Sequence, residues 1–165
     1  MIKSDERINK INDNLSLIEK INGLTFGTDA YLLSAFLPKR QNLIGAELGC
    51  GTGVISLLAT SRKKCRHVYA FEVQEEFCDL TKRNVELNGF ADKITVIHKN
   101  VCDAIPKDTE KEVDFVFSNP PYMKTDSGRA NVYDERISHV TRCAEALTTS
   151  ALAQKGCLST AEASM

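Results

Sequence analysis

Short apolar runs alternate with segments of helical periodicity over most of the chain. The apolar runs, each typical of a buried strand, span residues 43–48, 67–73, 93–98 and 113–118. Helical segments span residues 54–60, 75–87 and 135–153, and a fifth strand is predicted at 157–161. Strands that alternate with helices form right-handed β-α-β units around a parallel sheet. We therefore predict an α/β domain over residues 41–165, with helices on both faces of the sheet.

The first 40 residues have a different pattern. Apolar and polar residues alternate over residues 15–26 around Asn22-Gly23, and Asn-Gly is a strong signal for a hairpin turn. Thr28 is predicted as the N-cap of a short helix over residues 29–37, which Pro38 ends. We assign residues 1–40 to an N-terminal hairpin and helix that line the cofactor site described below.

Length and composition are those of one globular domain. The 165 residues carry 21 basic and 22 acidic side chains, and this net charge of -1 neither indicates nor excludes a nucleic-acid partner. No apolar run approaches the ~20 residues that a membrane-spanning helix needs. The charged N-terminus is unlike a signal peptide, and none of the six cysteines lies in a C-x-x-C pair that would indicate zinc. We expect a cytoplasmic protein with free thiols and no metal.

A glycine-rich turn follows the first strand of the predicted sheet. Glycines let the backbone turn sharply and approach a ligand closely. The spacing G-x-G-x-G differs from the G-x-G-x-x-G of dinucleotide folds, and an acid lies two residues before the first glycine. An acid there suits a ligand that carries an ammonium and a sulfonium, which favours S-adenosylmethionine. The residues of this turn predicted to bind the cofactor are Glu47, Gly49, Gly51 and Gly53.

Two further acids follow the next two strands. Glu72 ends the second strand, where a carboxylate accepts hydrogen bonds from both ribose hydroxyls of a bound cofactor. Asp103 follows the third strand and is predicted to accept a hydrogen bond from the adenine amine of the cofactor. The carboxyl ends of parallel strands form the ligand edge of such sheets. Both acids are therefore predicted to bind the cofactor, with a nicotinamide cofactor as the alternative.

The tetrapeptide Asn119-Pro120-Pro121-Tyr122 directly follows the fourth strand. An adenine amine is a poor nucleophile because its lone pair is delocalised into the ring. The side-chain oxygen of Asn119 and the carbonyl of Pro120 are predicted to accept the two amine hydrogens, in positions that the prolines fix. Tyr122, next to Pro121, offers a ring on which a flipped base can stack. We predict a catalytic site here, with Asn119 also touching the cofactor.

Basic residues form two groups with different predicted roles. Lys124 and Arg129 follow the tetrapeptide on the predicted site edge, so they are candidates for phosphate contacts. The denser basic run over residues 62–66 joins the first helix of the sheet domain to its second strand. That position predicts a solvated turn at the end of the sheet opposite to the site.

The glycine turn and the Asn-Pro-Pro-Tyr motif together resemble those of the class I amino-methyltransferases. The segment Phe26-Gly27-Thr28-Asp29-Ala30-Tyr31-Leu32-Leu33 resembles one bacterial group among them, the tRNA(Val) adenine-37 N6-methyltransferases with their small-domain relatives. The resemblance covers roughly residues 5–160. It implies a Rossmann-like fold, S-adenosylmethionine as cofactor, and N6-methylation of an adenine in RNA, near the anticodon of a tRNA. It also implies that Phe26, Thr28 and Asp29 lie near the methionine arm of the cofactor.

The end of the chain departs from this resemblance. Relatives continue through another helix and two more strands, whereas Lys155-Gly156-Cys157 here leads into a short tail. We therefore expect the C-terminal strands to be missing, which would leave an exposed sheet edge that favours self-association. We also expect low stability and reduced activity.

Three alternatives share the same motifs. A protein glutamine methyltransferase acting on release factors meets the same problem of a delocalised amide nitrogen. However, only about 40 residues precede the glycine turn, too few for the N-terminal helical domain of that family. A DNA adenine methyltransferase would need a target-recognition domain, and none is visible in the sequence. The third alternative is a module that binds the cofactor without turnover.

Overall fold

The computed structural model describes residues 2–23, 26–103 and 106–119. Within these ranges the strands are β1 (Glu6–Asn12), β2 (Leu15–Lys20), β3 (Ile44–Leu48), β4 (His67–Glu72), β5 (Ile94–His98) and β6 (Phe115–Phe117). The helices are α1 (Thr28–Phe36), α2 (Val54–Ser61) and α3 (Glu75–Leu87). Short 3-10 turns at Val101–Asp103 and Pro106–Asp108 follow β5. The predicted alternation of strands and helices after residue 43 is confirmed up to β6.

Strands β3 to β6 form a parallel sheet in the order β5-β4-β3-β6. β3 lies inside this sheet and pairs Glu47 with Ala70 on one side and with Phe117 on the other. After β5 the chain returns to the other side of β3, so the strand order reverses at this strand. Open α/β sheets bind ligands at the carboxyl ends of the strands that flank such a reversal. The predicted Rossmann-like α/β class is therefore confirmed.

The two faces of the sheet carry separate apolar clusters. On one face Ala70 and Phe117 belong to the same buried cluster as Leu57 of α2, and α1, α3 and β2 add to this cluster. On the other face Tyr69 packs in a second cluster with Val113. The described helices all cover the first face. Packing of these helices on the sheet stabilises the fold, because it removes apolar side chains from water.

Some predictions concern residues outside the described ranges. The helix predicted over residues 135–153 and the fifth strand at 157–161 both lie there, together with the sheet edge expected to favour self-association. These points stay predictions. Among the described helices, none is long and apolar enough to cross a membrane.

The N-terminal hairpin turns at a different place from the predicted one. Asn12 ends β1, and its side-chain Oδ1 accepts a hydrogen bond from the N–H of Asn14 at 2.9 Å, so the chain reverses there. The pair Asn22-Gly23 instead forms a separate turn after β2, with the Gly23 N–H donating to the Lys20 carbonyl at 3.3 Å. The predicted hairpin turn at Asn22-Gly23 is therefore wrong, because a local Asn side-chain bond closes the ribbon earlier.

Asn84 of α3 and Asn88, the C-cap of this helix, hold the hairpin against the sheet domain. Asn84 accepts a hydrogen bond from the Ile18 N–H at 2.6 Å and donates to the Ile18 carbonyl at 3.0 Å. Asn88, one helical turn later, makes the same pair of bonds with Ser16 at 2.9 and 2.7 Å. The two amides thus satisfy backbone groups on the outer edge of β2, as a neighbouring strand would.

The start of α1 also differs from the prediction. Gly27, not Thr28, is the N-cap, with φ -96° and ψ -175° and no side-chain cap bond, and Thr28 is already helical. The predicted Thr28 cap is therefore wrong. The reason lies with Asp29, whose carboxylate folds back over Gly27 so closely that a Cβ there would lie 2.5 Å from Oδ1. A carboxylate in the first turn of a helix is favoured by the helix dipole.

The basic run over residues 62–66 lies between α2 and β4, and part of it supports α1. The Arg62 guanidinium donates to the Ser34 hydroxyl at 2.6 Å. The Lys64 ammonium donates to the carbonyls of Ala35 and Leu37 at 2.6 and 2.9 Å. These carbonyls lie at the C-terminal end of α1, where cations are favourable. The run is therefore at the amino-terminal end of β4, as predicted, and two of its side chains have structural partners.

Candidate functional site

The carboxyl ends of the four parallel strands are joined by hydrogen bonds at one edge of the sheet. The N–H groups of Gly49 and Cys50 both donate to the Phe71 carbonyl at 2.9 Å, which ties the end of β3 to β4. The Lys99 N–H donates to the Glu72 carbonyl at 2.9 Å and ties β5 to β4. On the other side of β3, the Ser118 hydroxyl donates to the Leu48 carbonyl at 2.8 Å. The segments with the predicted site residues therefore meet at this edge.

The glycine turn has a backbone that favours glycine at three alternate positions. Gly49, Gly51 and Gly53 have φ values of 71°, 56° and 76°, a left-handed region that L side chains rarely adopt. At Gly53 a Cβ would lie 2.6 Å from Cγ2 of Thr81. At Gly49 and Gly51 a Cβ would meet no atom of residues 2–23, 26–103 or 106–119 within 4 Å. The first two glycines thus border open space beside the turn, and the third allows close packing on α3.

Helix α3 supports the glycine turn with two polar side chains. The Thr81 hydroxyl donates to the Gly51 carbonyl at 2.6 Å, and the Asn84 amide donates to the Thr52 carbonyl at 3.0 Å. Both side chains are fully buried. Neither residue was singled out from the sequence, although polar residues three apart on the buried face of a helix were a usable signal. Asn84 therefore connects the hairpin to the glycine turn.

Glu72 lies at the end of β4 with a carboxylate that already accepts three backbone hydrogen bonds. Its Oε1 accepts from the N–H groups of Val73 and Gln74, and its Oε2 from the N–H of Gly51, each at 2.9 Å. A carboxylate offers about four lone-pair positions. One position, on Oε2, is thus left for a further donor beside the turn. Both ribose hydroxyls could bind only if one of these backbone bonds were released.

Glu47 lies beneath the turn and not on its open side. It is 1% exposed, and its Oε2 accepts hydrogen bonds from the N–H of Ser56, at 3.0 Å, and from the Ser56 hydroxyl. Burial raises the pKa of Glu47 to about 7, with the nearby Glu72 carboxylate adding to the rise and the Ser56 bonds opposing it. The carboxylate therefore supports the N-terminus of α2, and its contact with a cofactor stays a prediction.

The end of β5 supplies an acid, and the end of β4 supplies an exposed apolar side chain. Asp103 is solvent-exposed in the turn after β5, where its N–H donates to the Asn100 carbonyl at 3.0 Å. Val73, directly after Glu72, is 55% exposed. An exposed valine beside the open turn is a suitable wall for an aromatic ring of a ligand. Sequence reasoning missed Val73, although an apolar residue directly after the strand-end acid was a signal.

Asn119 lies after β6 and contacts the start of α1. Its amide Nδ2 donates to Oδ2 of Asp29 at 2.6 Å. Asp29 therefore lies beside Asn119 at the site edge, and both Asp29 and Thr28 are exposed. Phe26 packs on Tyr31, with ring centroids 5.6 Å apart. The other predicted site residues, Pro120, Pro121, Tyr122, Lys124 and Arg129, lie outside the described residues.

The fold and the site together define a Rossmann-like domain whose open glycine turn lies at the sheet edge that ends in Asn119. The family model "Methyltransferase small domain" matches residues 22–151. The chain belongs to this family, and the family resemblance inferred from the motifs is confirmed.

Curated relatives share about a third of the residues in the matched segment. A tRNA1(Val) (adenine(37)-N6)-methyltransferase of Flavobacterium johnsoniae is 30% identical over 101 residues, 61% of this chain and 43% of the relative. A release factor glutamine methyltransferase of Aquifex aeolicus is 32% identical over 87 residues, 53% of this chain and 30% of the relative. The matched segments thus span less than half the length of either relative.

Solved structures share the fold. The M. jannaschii tRNA m1G37 methyltransferase superposes with a TM-score of 0.58 at 18% identity, over 82% of this chain and 40% of that one. A precorrin 8W decarboxylase from Methanobacterium thermoautotrophicum superposes with a TM-score of 0.57 at 21% identity, over 76% of this chain and 59% of that one. At these identities the likeness concerns the fold alone.

Proposed function

We propose that the chain is the cofactor-binding and catalytic part of an S-adenosylmethionine-dependent methyltransferase that acts on N6 of an adenine in RNA. One observation carries the proposal: Asn119 lies at the same sheet edge as the open glycine turn, one residue after Ser118, which is bonded to the last residue of β3. A methyl acceptor held at Asn119 would therefore be next to a cofactor held at the turn.

The residues at the turn fit this cofactor. Gly49 and Gly51 leave open space next to the backbone, which no side chain of the described residues fills. Oε2 of Glu72 keeps one lone-pair position for a ribose hydroxyl, and exposed Val73 can cover an adenine ring. Asp103 would accept a hydrogen bond from the amine of the cofactor's adenine, not from the substrate base. When bound, the cofactor would supply an electrophilic methyl group; S-adenosylhomocysteine would leave as a neutral thioether, and the methylated amine would release one proton to water.

Asn119 is proposed to activate the acceptor amine. Because its Nδ2 donates to Asp29, its Oδ1 lies on the other side of the amide group. That oxygen would accept one hydrogen of the adenine amine, with the Pro120 carbonyl proposed for the other. Two fixed acceptors draw the amine lone pair away from the ring and align it with the methyl group, so orientation supplies much of the rate. Tyr122 is proposed to stack on the base.

An RNA substrate is supported by the tRNA-modifying relatives, with tRNA near the anticodon as the particular target. Lys124 and Arg129 are proposed phosphate contacts. The Aquifex relative makes a glutamine side chain in a release factor the second candidate, since an amide nitrogen needs the same two acceptors. Self-association stays a separate prediction that none of these observations bears on.

Methyl transfer to two substrates tests the proposal. The full chain is incubated with methyl-labelled cofactor and with either unmodified total tRNA or an unmodified release factor, and the labelled product is digested and identified. We expect N6-methyladenosine from tRNA and no label in the release factor. Asn119→Ala should reduce transfer to a low residual rate and leave cofactor affinity nearly unchanged, because the amide acts on the acceptor. Label in glutamine alone would contradict the RNA proposal.

A further inference from the structure

The contact between Asn119 and Asp29 joins two segments that are 90 residues apart in the sequence. An asparagine amide has two unlike ends, an oxygen that only accepts and a nitrogen that only donates. A carboxylate accepts only, so Asp29 can pair with the nitrogen end and not with the oxygen end. The 2.6 Å bond from Nδ2 to Oδ2 of Asp29 therefore decides which end of the Asn119 amide faces the site.

The opposite orientation of the amide would be unproductive. With the amide turned over, its NH2 group would face the NH2 group of an adenine, donor against donor. The same rotation of the amide would place Oδ1 against the Asp29 carboxylate, acceptor against acceptor. Both contacts are repulsive, and only the first matters to the substrate. An anion behind the amide is thus a direct way to keep the acceptor aimed at the amine.

The Asp29 carboxylate is charged and lies between Asn119 and Gly27. Hydrogen bonding from Asn119 is the main cause that keeps the pKa of Asp29 below its usual value, so the side chain is an anion at neutral pH. Its other oxygen lies over Gly27, where a Cβ would be only 2.5 Å from Oδ1. The Gly27 backbone, at φ -96°, is allowed for any residue. Gly27 therefore serves the position of this carboxylate and not an unusual backbone conformation.

We propose that Asp29 is a positioning residue for methyl transfer, which orients the Asn119 amide so that Oδ1 faces the acceptor amine. The inference rests on the proposed function, because it assigns Asn119 to the acceptor. It differs from the expectation that Asp29 binds the methionine arm of the cofactor. A cofactor contact would appear in cofactor affinity, whereas a positioning role appears in the rate of transfer with cofactor saturating.

Two variants disturb the contact in different ways. Asp29→Ala removes the carboxylate, and Gly27→Ala keeps it but displaces it from its position over residue 27. In single-turnover methyl transfer at saturating cofactor, we expect both to be about 10–100-fold slower, the size of effect that a misplaced reacting group causes. The affinity for S-adenosylhomocysteine should change less than about threefold. Leu32→Ala, an exposed change on the same helix, should behave as wild type.

A double-variant comparison separates positioning from a general loss of structure. If Asp29 acts through Asn119, Asp29→Ala should slow the residual transfer of an Asn119→Ala protein no further. Independent losses that multiply would overturn the proposal. Loss of S-adenosylhomocysteine binding in Asp29→Ala, with the transfer rate at saturation kept, would also overturn it and return Asp29 to the cofactor.

A measurement on the amide itself does not depend on activity. The side-chain 15N–1H signals of Asn119 are recorded in the full chain with S-adenosylhomocysteine and assigned by their absence in Asn119→Ala. We expect one amide proton to be shifted downfield in wild type and to lose that shift in both Asp29→Ala and Gly27→Ala. Unchanged signals in both variants overturn the inference. If wild type methylates no RNA, the proposed function fails, and this measurement still decides for or against Asp29.

Discussion

Glu47 in the interior of the sheet and Ser56 in the first turn of α2 are joined by two hydrogen bonds to one carboxylate oxygen. The pair anchors the helix that follows the glycine turn, yet burial raises the pKa of Glu47 from about 4.5 to about 7. Between these values the folded chain keeps a proton that the unfolded chain has released. The free energy of unfolding should therefore be highest below the lower value and fall as pH rises through the upper one.

The expected fall is about 3 kcal/mol, from 1.36 kcal/mol per pKa unit. Urea unfolding at about pH 5 and about pH 8 measures it, with Glu47→Gln as the matched variant. Glutamine keeps an acceptor for the Ser56 N–H but does not titrate, so its stability should be nearly flat across this range. A variant with the same pH slope as wild type would show that Glu47 is not the titrating group.

Arg83 should be required for stable docking of the hairpin. Its guanidinium donates to both oxygens of Glu6 at 2.7 Å, and the Glu6 side chain is 0% exposed. Arg83→Met leaves this carboxylate buried without its cation, which should cost about 3 kcal/mol in unfolding free energy. Lys10→Met, which breaks the exposed pair with Asp13, should cost less than about 0.5 kcal/mol.

The same pair predicts a second pH effect. The Arg83 bonds lower the pKa of Glu6 to about 2 from a usual value near 4.5. A lowered carboxyl pKa stabilises the fold above the usual value, and this stabilisation is lost as pH falls towards the lowered one. Arg83→Met should remove that part of the acid sensitivity. If wild type and Arg83→Met lose stability in parallel between about pH 5 and about pH 3, the pair does not contribute as the geometry indicates.

Asn84 should couple the N-terminal hairpin to the glycine turn. Asn84→Asp keeps the acceptor for the Ile18 N–H but loses the donors to the carbonyls of Ile18 and Thr52. Asn88→Asp loses the donor to Ser16 but has no bond to the turn. Both variants should be less stable by about 1–3 kcal/mol. Only Asn84→Asp should also weaken S-adenosylhomocysteine binding, by about fivefold, the equivalent of one net hydrogen bond.

Equal losses of ligand affinity in these two asparagine variants would contradict the coupling. They would indicate that docking of the hairpin, rather than the hydrogen bond from Asn84 to the Thr52 carbonyl, sets the ligand affinity. The comparison is made at a temperature where both variants are folded, checked by circular dichroism.

Lys63 occupies a backbone position that favours glycine. Its φ of 52° lies in the left-handed region directly after α2, where glycine is the usual residue. Lys63→Gly should therefore raise the free energy of unfolding by about 0.5–1 kcal/mol. Lys64→Gly is the matched control and should lower it, because Lys64 bonds the carbonyls of Ala35 and Leu37. A destabilised Lys63→Gly protein would mean that the lysine side chain contributes more than its backbone costs.

The sequence predicts the two inner strands of the sheet, β3 and β4, well because they are buried on both faces and are therefore mostly apolar. Ile44–Leu48 and His67–Glu72 are buried almost without exception. β1 gives no such signal, since most of its residues are exposed and its one fully buried residue is Glu6. That burial depends on Arg83, 77 residues away, and no local pattern reports it.

In the candidate site, too, some features could be predicted from the local sequence and others could not. Gly49, Gly51 and Gly53 were identified because a left-handed backbone restricts the residue type. The contacts that hold the glycine turn were not identified, because Thr81 and Asn84 belong to a helix that only the fold brings beneath this turn. The same reason applies to the hydrogen bond of Asn119 to Asp29.

Isothermal titration calorimetry tests the central claim, an S-adenosylmethionine site at the glycine turn, most directly. The titrant is S-adenosylhomocysteine, with NAD as the rival ligand. The account predicts that S-adenosylhomocysteine binds with one-to-one stoichiometry and that NAD does not bind. Glu72→Ala should weaken the binding by about 1.5–3 kcal/mol, the value of hydrogen bonds to a charged group, and Glu75→Ala, an exposed acid of α3, should not. No binding of S-adenosylhomocysteine, or equal binding of NAD, would contradict the account.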